Sequence, residues 1–407
     1  MNKIIKPSFY DTFACIADKC KANCCTGWRV DVSKNSYELV KKTKMSNEMQ
    51  EKINKYYKRD KKNVNNAILG YAHIKLREDG ACSFLDEQGL CSLQKECGYK
   101  VLPTLCQNYP RACVSQDGKT YEFAIDNSCE AVVSLLLKQK DGIEYISGEM
   151  SIDNMSLDIR IGLLVPENFK KYYWDVRMLS IATLQSTQYS LDDRMLIMGL
   201  FLQKICEFDK NNETEKIPSY VDNMISLLEK DEFKGTFDDL NTQSFEFLQD
   251  TFAFLSKSTV ASNAYAANRD IFIKIIENIT SPKDDNSQVF QLDIEKYNKQ
   301  KDLFEKYCEK NPRAIENVIV NNFQVNHFPF KTCNIWENYI EQCVYYNMTK
   351  LFCAALLDEN LNDEAIIDGV RILSRTFSHT QEYIKMVKDC IEKSNDKLAN
   401  MAFLIKN

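Results

Sequence analysis

Ten of the 16 cysteines fall before residue 130, and eight of those ten stand in three groups: Cys15-x4-Cys20-x3-Cys24-Cys25, then Cys82-x8-Cys91, then Cys106 and Cys129. Thiolates are soft ligands that select zinc, copper(I) or iron–sulfur clusters, so metal chemistry is expected here. A lone Cys-x3-Cys arises by chance. Four cysteines within 11 residues, followed by two further groups in a chain with only 3 histidines, do not fit packing alone. Cys206, Cys308, Cys333, Cys343, Cys353 and Cys390 are scattered, as core cysteines usually are, and read as structural. Ligand type does not separate four-thiolate zinc from a four-iron cluster. Neighbouring Trp28, Phe84, Leu90 and Tyr109 would give either one a dry surround.

The elements that must position these thiols can be read from the intervening pattern. Ser33 to Asn66 is polar with widely spaced apolar residues, which reads as one or two amphipathic helices inserted between ligand groups. Tyr71 to Leu76 alternates like a short strand and runs into an Asp79-Gly80 turn before Cys82. Asp86 to Gly89 supplies a second turn that returns Cys91 towards Cys82, the hairpin-like arrangement on which small metal sites are often built. After Cys129 helical periodicity takes over. A helix starts at Ala131, Ser190-Leu191-Asp192-Asp193 reads as a helix cap, and Leu303 to Phe323, Trp336 to Leu357 and Asp363 to Lys393 read as helical. Asp209 to Pro218 and Ser281 to Ser287 read as loops, and no repeat of solenoid period is present. The expected fold is therefore mainly α: a cysteine-rich metal- or cluster-binding module with little β over residues 1–135, then a multi-helix domain over 136–407.

Composition narrows the function classes. A chain of 407 residues with 44% hydrophobic content buries a core without disulfide staples. The N-terminal Met1 to Pro7 lacks the apolar run of a secretory signal, and no stretch reaches the roughly 18 apolar residues of a membrane span. A cytoplasmic location without membrane insertion is the expectation, and in that compartment clustered thiols are more often metal ligands or redox groups than structural disulfides. Residues 1–135 carry 21 basic and 16 acidic side chains, leaving 31 and 42 of the chain's 52 and 58 for the rest. Neither part has the dense basic patch of a nucleic-acid binder, so no nucleic-acid partner is expected. The 12 glycines include no G-x-G-x-x-G and no G-x-x-x-x-G-K, which argues against a Rossmann fold or a phosphate loop.

The cysteine groups and their contexts resemble the flagellin lysine-N-methylase family, which shares the broader CxxCxxCC-type module. The residues that carry the resemblance are Cys15-x4-Cys20-x3-Cys24-Cys25-x2-Trp28, then Asp79-Gly80-x-Cys82-x-Phe84-Leu85-Asp86-x2-Gly89-Leu90-Cys91-x-Leu93-Gln94, then Leu102-Pro103-x2-Cys106-x2-Tyr109-Pro110-Arg111. Beyond Cys129 it rests on Leu191 to Met195 and Arg375-x3-His379. What the resemblance implies is methyl transfer from S-adenosylmethionine to lysine side chains of flagellin, with the cysteines binding a [4Fe-4S] cluster; zinc is the alternative metal. Cys97 and Cys113 lie outside the family pattern and are left out of the ligand set. That set is Cys15, Cys20, Cys24, Cys25, Cys82, Cys91, Cys106 and Cys129, more thiols than one cluster needs. The first group also departs from the Cys-x3-Cys-x2-Cys spacing of radical S-adenosylmethionine enzymes, because Gly27 stands where the third cysteine would be.

Methylation of an amine sets further demands. The side-chain ammonium must lose a proton before its lone pair can attack a sulfonium methyl, and the donor's amino-acid end needs polar anchors. Trp28 and Tyr109 are candidates to frame the substrate cation, with plain packing the simpler reading of both, and Arg111 to anchor a carboxylate or hydrogen-bond a cluster sulfur. Arg371, Arg375 and His379 recur every fourth residue along one helix face and are candidates for an anionic cofactor group; the plainer reading is a solvated or interdomain face. His73 and His327 read as structural, with His73 a reserve ligand. A reading from a different class remains open: a non-enzymatic metal-binding or electron-transfer protein whose helical part docks a partner.

Overall fold

β1 (Asn2–Pro7) is followed by a compact cysteine-bearing stretch: β2 (Val30–Val32), α1 (Lys34–Lys42), α2 (Asn47–Tyr56), β3 (Tyr57–Arg59), β4 (Ala72–Ile74), α3 (Ser92–Cys97) and α4 (Thr104–Asn108). Next come β5 (Arg111–Ser115), β6 (Thr120–Ile125), α5 (Glu130–Leu137), β7 (Tyr145–Met150) and β8 (Ile159–Ile161). The computed structural model describes residues 1–21, 23–60, 70–151, 159–161, 165–238, 240, 269–282, 290–377, 381–392 and 397–406.

The polar stretch after Ser33 forms two helices, each started by a serine. Ser33 Oγ accepts from the Ser36 amide and Ser46 Oγ from the Met49 amide, both at 3.2 Å, satisfying N–H groups that a helix start leaves orphaned. Residues 61–69, which include the end of that stretch up to Asn66, lie outside the described residues. Val40, Met49 and Ile53 turn inwards on a small core with Val30, Ile74, Phe84 and Leu102.

The expectation of little β in the first 135 residues needs correction. A three-stranded sheet runs β2-β4-β3, and a five-stranded sheet runs β7-β1-β6-β5-β8. In the latter β1 pairs parallel to β6, with Ile4 opposite Tyr121, and antiparallel to β7. Parallel partners need a long crossover, so the pairing of β1 with β6 leaves no local signal in either segment.

The remaining elements are helical apart from one short hairpin. They are α6 (Tyr173–Leu184), α7 (Leu191–Lys210), α8 (Ile217–Glu229), α9 (Arg269–Ile279), β9 (Thr280–Pro282), β10 (Phe290–Leu292), α10 (Ile294–Lys310), α11 (Ala314–Val325), α12 (Ile335–Leu356), α13 (Asp363–Thr376), α14 (Gln381–Glu392) and α15 (Lys397–Lys406). Helices dominate the described residues, and no doubly wound parallel sheet is present among them. Ser190 caps α7, its Oγ accepting from the Asp193 amide at 3.1 Å. The helical stretch expected from Leu303 to Phe323 is broken: α10 ends at Lys310 and α11 begins at Ala314, with Pro312 between them, because proline removes a backbone donor and disfavours helix at the preceding residue. The loop expected from Ser281 includes β9, and residues 283–289 lie outside the described residues. No helix among the described residues is long and apolar enough to cross a membrane.

One apolar core runs from Ile4 and Phe123 in the larger sheet through α5 to α15. At its centre α12 is buried on nearly all sides, polar residues included. Asn338 donates to the Pro329 carbonyl at 2.6 Å and Asn347 to the Leu404 carbonyl at 2.8 Å, so those amides enter the core with partners. α13 lies against α12 at Gly369, where a Cβ would meet the Cys353 amide nitrogen at 3.0 Å and its Sγ at 3.1 Å. That close approach sets where α13 carries its arginines.

Candidate metal centre

The turns between Leu76 and Cys91 bring two cysteines back towards each other. Asp79 Oδ1 accepts from the Ala81 amide at 3.0 Å, and Gly80 takes a φ of +79°, which a residue with a Cβ rarely adopts. Asp86 Oδ1 accepts from the Gln88 and Leu90 amides at 2.9 Å each, and Lys95 Nζ donates to Oδ2 at 2.5 Å. Leu76 bridges Cys82 and Leu85 bridges Cys91 as antiparallel pairs. The first group is laid along this hairpin: the Cys82 amide donates to the Cys25 carbonyl at 2.7 Å, and Asn23 Nδ2 donates to the Gly89 carbonyl at 2.7 Å. Cys106, on α4, reaches the same small core, where Cys82 is buried and Cys25, Cys91, Cys97 and Cys106 pack at its edge.

The thiols influence one another's ionisation. Burial pushes Cys106 up, with Cys82, Cys91 and Cys24 adding to the shift. Of the adjacent pair, Cys24 is held down to about 7, chiefly by the hydrogen bond with Cys25 and also by the Arg375 guanidinium, against the effect of burial; Cys25 is pushed up. Cys129 sits at the start of α5 and is pushed up to about 11 by burial, with Cys20 and Cys24 contributing. Cys20 donates to Glu130 Oε2 at 3.5 Å, and the Lys21 amide donates to the same oxygen at 2.9 Å. Cys15 is exposed and accepts from the Ala17 amide at 3.4 Å. Each described cysteine is a free thiol, and among the described residues no three His, Cys, Asp or Glu side chains stand in coordinating range of a common point. Cys113 is buried in β5, within the larger core.

Of the cationic candidates among the described residues, Arg375 is the one whose charge acts on a cysteine of the expected set, Cys24. Its Nε donates to the Ser128 carbonyl at 3.0 Å, and its charge offsets part of the upward shift that burial imposes on the Tyr109 hydroxyl. Arg371, one turn earlier, is 1% exposed, with Nη2 on Asp368 Oδ1 at 2.7 Å. The stripe therefore divides: one arginine goes into the core and the other to the junction with the cysteine region. His379 lies outside the described residues. Arg111 Nη2 donates to the Phe13 carbonyl at 3.2 Å, its guanidinium 4.7 Å from the centre of the Phe13 ring.

Trp28 and Tyr109 do come together, with ring centroids 5.7 Å apart at 49°. Their polar atoms are engaged within the chain: Trp28 Nε1 donates to the Cys24 carbonyl, and the Tyr109 hydroxyl shares a hydrogen bond with Ser128 Oγ at 3.0 Å. The pair forms a wall beside Cys24. His73, on β4, lies 3.9 Å from Asp60. His327 is buried at the end of α11.

The sequence reading missed a buried polar network. Arg177 Nε donates to Glu122 Oε2 at 2.7 Å, the Tyr173 hydroxyl donates to Glu122 Oε1 at 2.5 Å, and Arg177 also donates to the Phe328 carbonyl and Gln324 Oε1 at 2.6 Å each. The available signal was a single charge set in each of two apolar runs, Tyr121-Glu122-Phe123 and Val176-Arg177-Met178.

Three comparisons with known proteins bear on this arrangement. The profile of the FliB lysine N-methylase C-terminal domain matches residues 177–405. A lysine-N-methylase of Salmonella typhimurium (strain LT2) is 32% identical over 148 residues, 34% of this chain and 34% of that protein, and one of Salmonella choleraesuis matches to the same extent. The flagellar biosynthetic protein FliU of Salmonella muenchen is 31% identical over 148 residues, which cover 80% of its length. The matched part thus spans about a third of the two curated lysine-N-methylases. No solved structure matches.

Proposed function

The chain belongs to the FliB lysine N-methylase family, and from that membership we propose that it transfers a methyl group from S-adenosylmethionine to side-chain amines of lysines on flagellin. The observation that carries the reading furthest is Arg375: it lies in the family-matched helical part, donates to the Ser128 carbonyl, and its charge acts on Cys24 and Tyr109 in the cysteine region. A guanidinium in this junction can pair with the carboxylate at the donor's amino-acid end, and the Trp28–Tyr109 wall keeps water from one side of Cys24.

We propose further that the cysteines hold a [4Fe-4S] cluster. The donors fit in kind: Cys25, Cys82, Cys91 and Cys106 are free thiols from three stretches of chain, gathered at a small core that holds buried Phe84 and Tyr57, and Cys24, next to Cys25, acts electrostatically on Cys82, Cys91 and Cys106. When bound, a cluster would cross-link those stretches and supply a redox-capable centre. The protein's own contribution is positional. The Asp79 and Asp86 turns hold Cys82 and Cys91, Asn23 fixes the first group to the second turn, and Arg375 favours the thiolate of Cys24.

The test is incubation of anaerobically purified protein with methyl-labelled S-adenosylmethionine and flagellin. Label on flagellin lysines is the expected result, and a cluster-loaded preparation that transfers none overturns the methylase reading. Iron and acid-labile sulfide in the purified protein support the cluster; a colourless protein with stoichiometric zinc overturns it.

A further inference from the structure

Tyr57 opens β3 with its side chain turned inwards, whereas Lys58 and Arg59 are exposed. It is 4% exposed and belongs to the small core on which Cys82, Cys91, Cys97 and Cys106 also pack. Its ring meets Phe84 edge-on, with centroids 5.6 Å apart at 76°, and Phe84 stands between Cys82 and Cys91 in the chain. Phe84 fills its own place in that core without a polar atom, so packing does not call for the hydroxyl on Tyr57.

That hydroxyl is buried and has no hydrogen-bond partner among the described residues. A buried hydroxyl is costly until something pairs with it. The charged groups that act on it are thiols. After burial itself, Cys106, Cys91, Cys82 and Cys97 hold its pKa up, in that order. Three of those four belong to the expected ligand set, and none of them accepts from the hydroxyl directly.

We propose that Tyr57 donates its hydroxyl hydrogen bond to a sulfur of the cluster held by these thiols, and so raises the cluster's reduction potential. Sulfur as the acceptor follows from the thiols around Tyr57; that the centre is a [4Fe-4S] cluster rests on the cluster reading above. Hydrogen bonds to cluster sulfurs are among the factors that set such potentials. Reduction adds one electron and makes those sulfurs better acceptors. The bond is therefore stronger to the reduced cluster and favours it. Tyr57 acts through the cluster and touches no substrate.

The experiment is protein-film voltammetry on the anaerobically purified full chain, with iron and acid-labile sulfide measured in each preparation. Tyr57→Phe removes the hydroxyl and keeps the ring, so iron content and circular dichroism should match the parent protein. Its reduction equilibrium should shift about three- to tenfold towards the oxidised cluster, a midpoint about 30–60 mV lower at about 59 mV per tenfold for one electron. Tyr37→Phe is the control: its ring centroid lies 6.3 Å from that of Tyr57, and its midpoint should equal the parent's. An unchanged or higher midpoint in Tyr57→Phe overturns the proposal, as does an equal fall in Tyr37→Phe. Loss of iron from Tyr57→Phe also overturns it, since the hydroxyl would then serve assembly and not potential. In the parent protein, transfer to D2O should shift Fe–S stretching bands in the resonance Raman spectrum; bands that do not move overturn the proposal without any variant. All of these results leave the cluster reading standing. A parent protein with zinc and no iron overturns that reading, and the proposal with it.

Discussion

Arg375 Nε donates to the Ser128 carbonyl at 3.0 Å, a bond that joins α13 to the turn leading into Cys129. The same guanidinium lowers the Cys24 thiol, so one side chain connects the helical part to two of the cysteine groups. Arg375→Ala should weaken S-adenosylmethionine binding by about ten- to a hundredfold, the range for losing a charged hydrogen bond. Lysine at this position should restore only part of it, since an ammonium lacks the planar fork. Calorimetric titration checks this; unchanged affinity in the alanine variant removes Arg375 from the donor site.

Metal content should divide the cysteines by place. Serine at Cys24, Cys82 or Cys106 is expected to strip iron from the purified protein, because Cys24 and Cys82 both act on the ionisation of Cys106 and the three come from different stretches of chain. Cys206→Ser and Cys353→Ser should retain it, Cys353 being fully buried against α13. Iron assays that fall equally in both sets contradict the division.

Arg177 and Glu122 are 0% and 3% exposed, so removing one partner strands a buried charge. Arg177→Met alone should cost about 3–5 kcal/mol of folding stability. Pairing it with Glu122→Leu should recover much of that loss, since the second change removes the stranded carboxylate. Urea denaturation of the single and double variants is the measurement.

The Asp86 turn should respond to acid. Its carboxyl is held below its ordinary 3.8, first by Lys95 and then by the Leu90 amide. A lowered native pKa means that the stabilisation is fully present above the unfolded value and disappears as pH falls through the native one. Protection of the Gln88 and Leu90 amides, taken relative to their intrinsic exchange rates at each pH, should therefore be high near neutral pH and fall in strong acid, while Asp86→Asn lowers it at both. Equal protection in the variant would show that the carboxylate does not hold the turn.

Gly369→Ala should destabilise the packing of α12 against α13 by about 1–3 kcal/mol, because the new methyl meets Cys353 backbone atoms at 3.0 and 3.1 Å. A lower thermal midpoint is expected, together with weaker donor binding, since α13 carries Arg375. A midpoint unchanged from the parent protein would mean that the helices separate at little cost.

Local features were legible in the chain alone, for a physical reason: they depend on neighbours a few residues apart. The grouping of thiols, the Asp79-Gly80 and Asp86-to-Gly89 turns, the Ser190 cap and the helices after Cys129 all follow from short spacings and periods. The family resemblance came from the same cysteine contexts, whereas the matching profile falls on residues 177–405, where only short segments had suggested it. The tertiary structure decided what long chain separations hide. It paired β1 with β6, sent Arg371 into the core but Arg375 to Ser128, and buried Glu122 against Arg177. A charge inside an apolar run shows that a partner is needed, but only the packed core determines which residue it is.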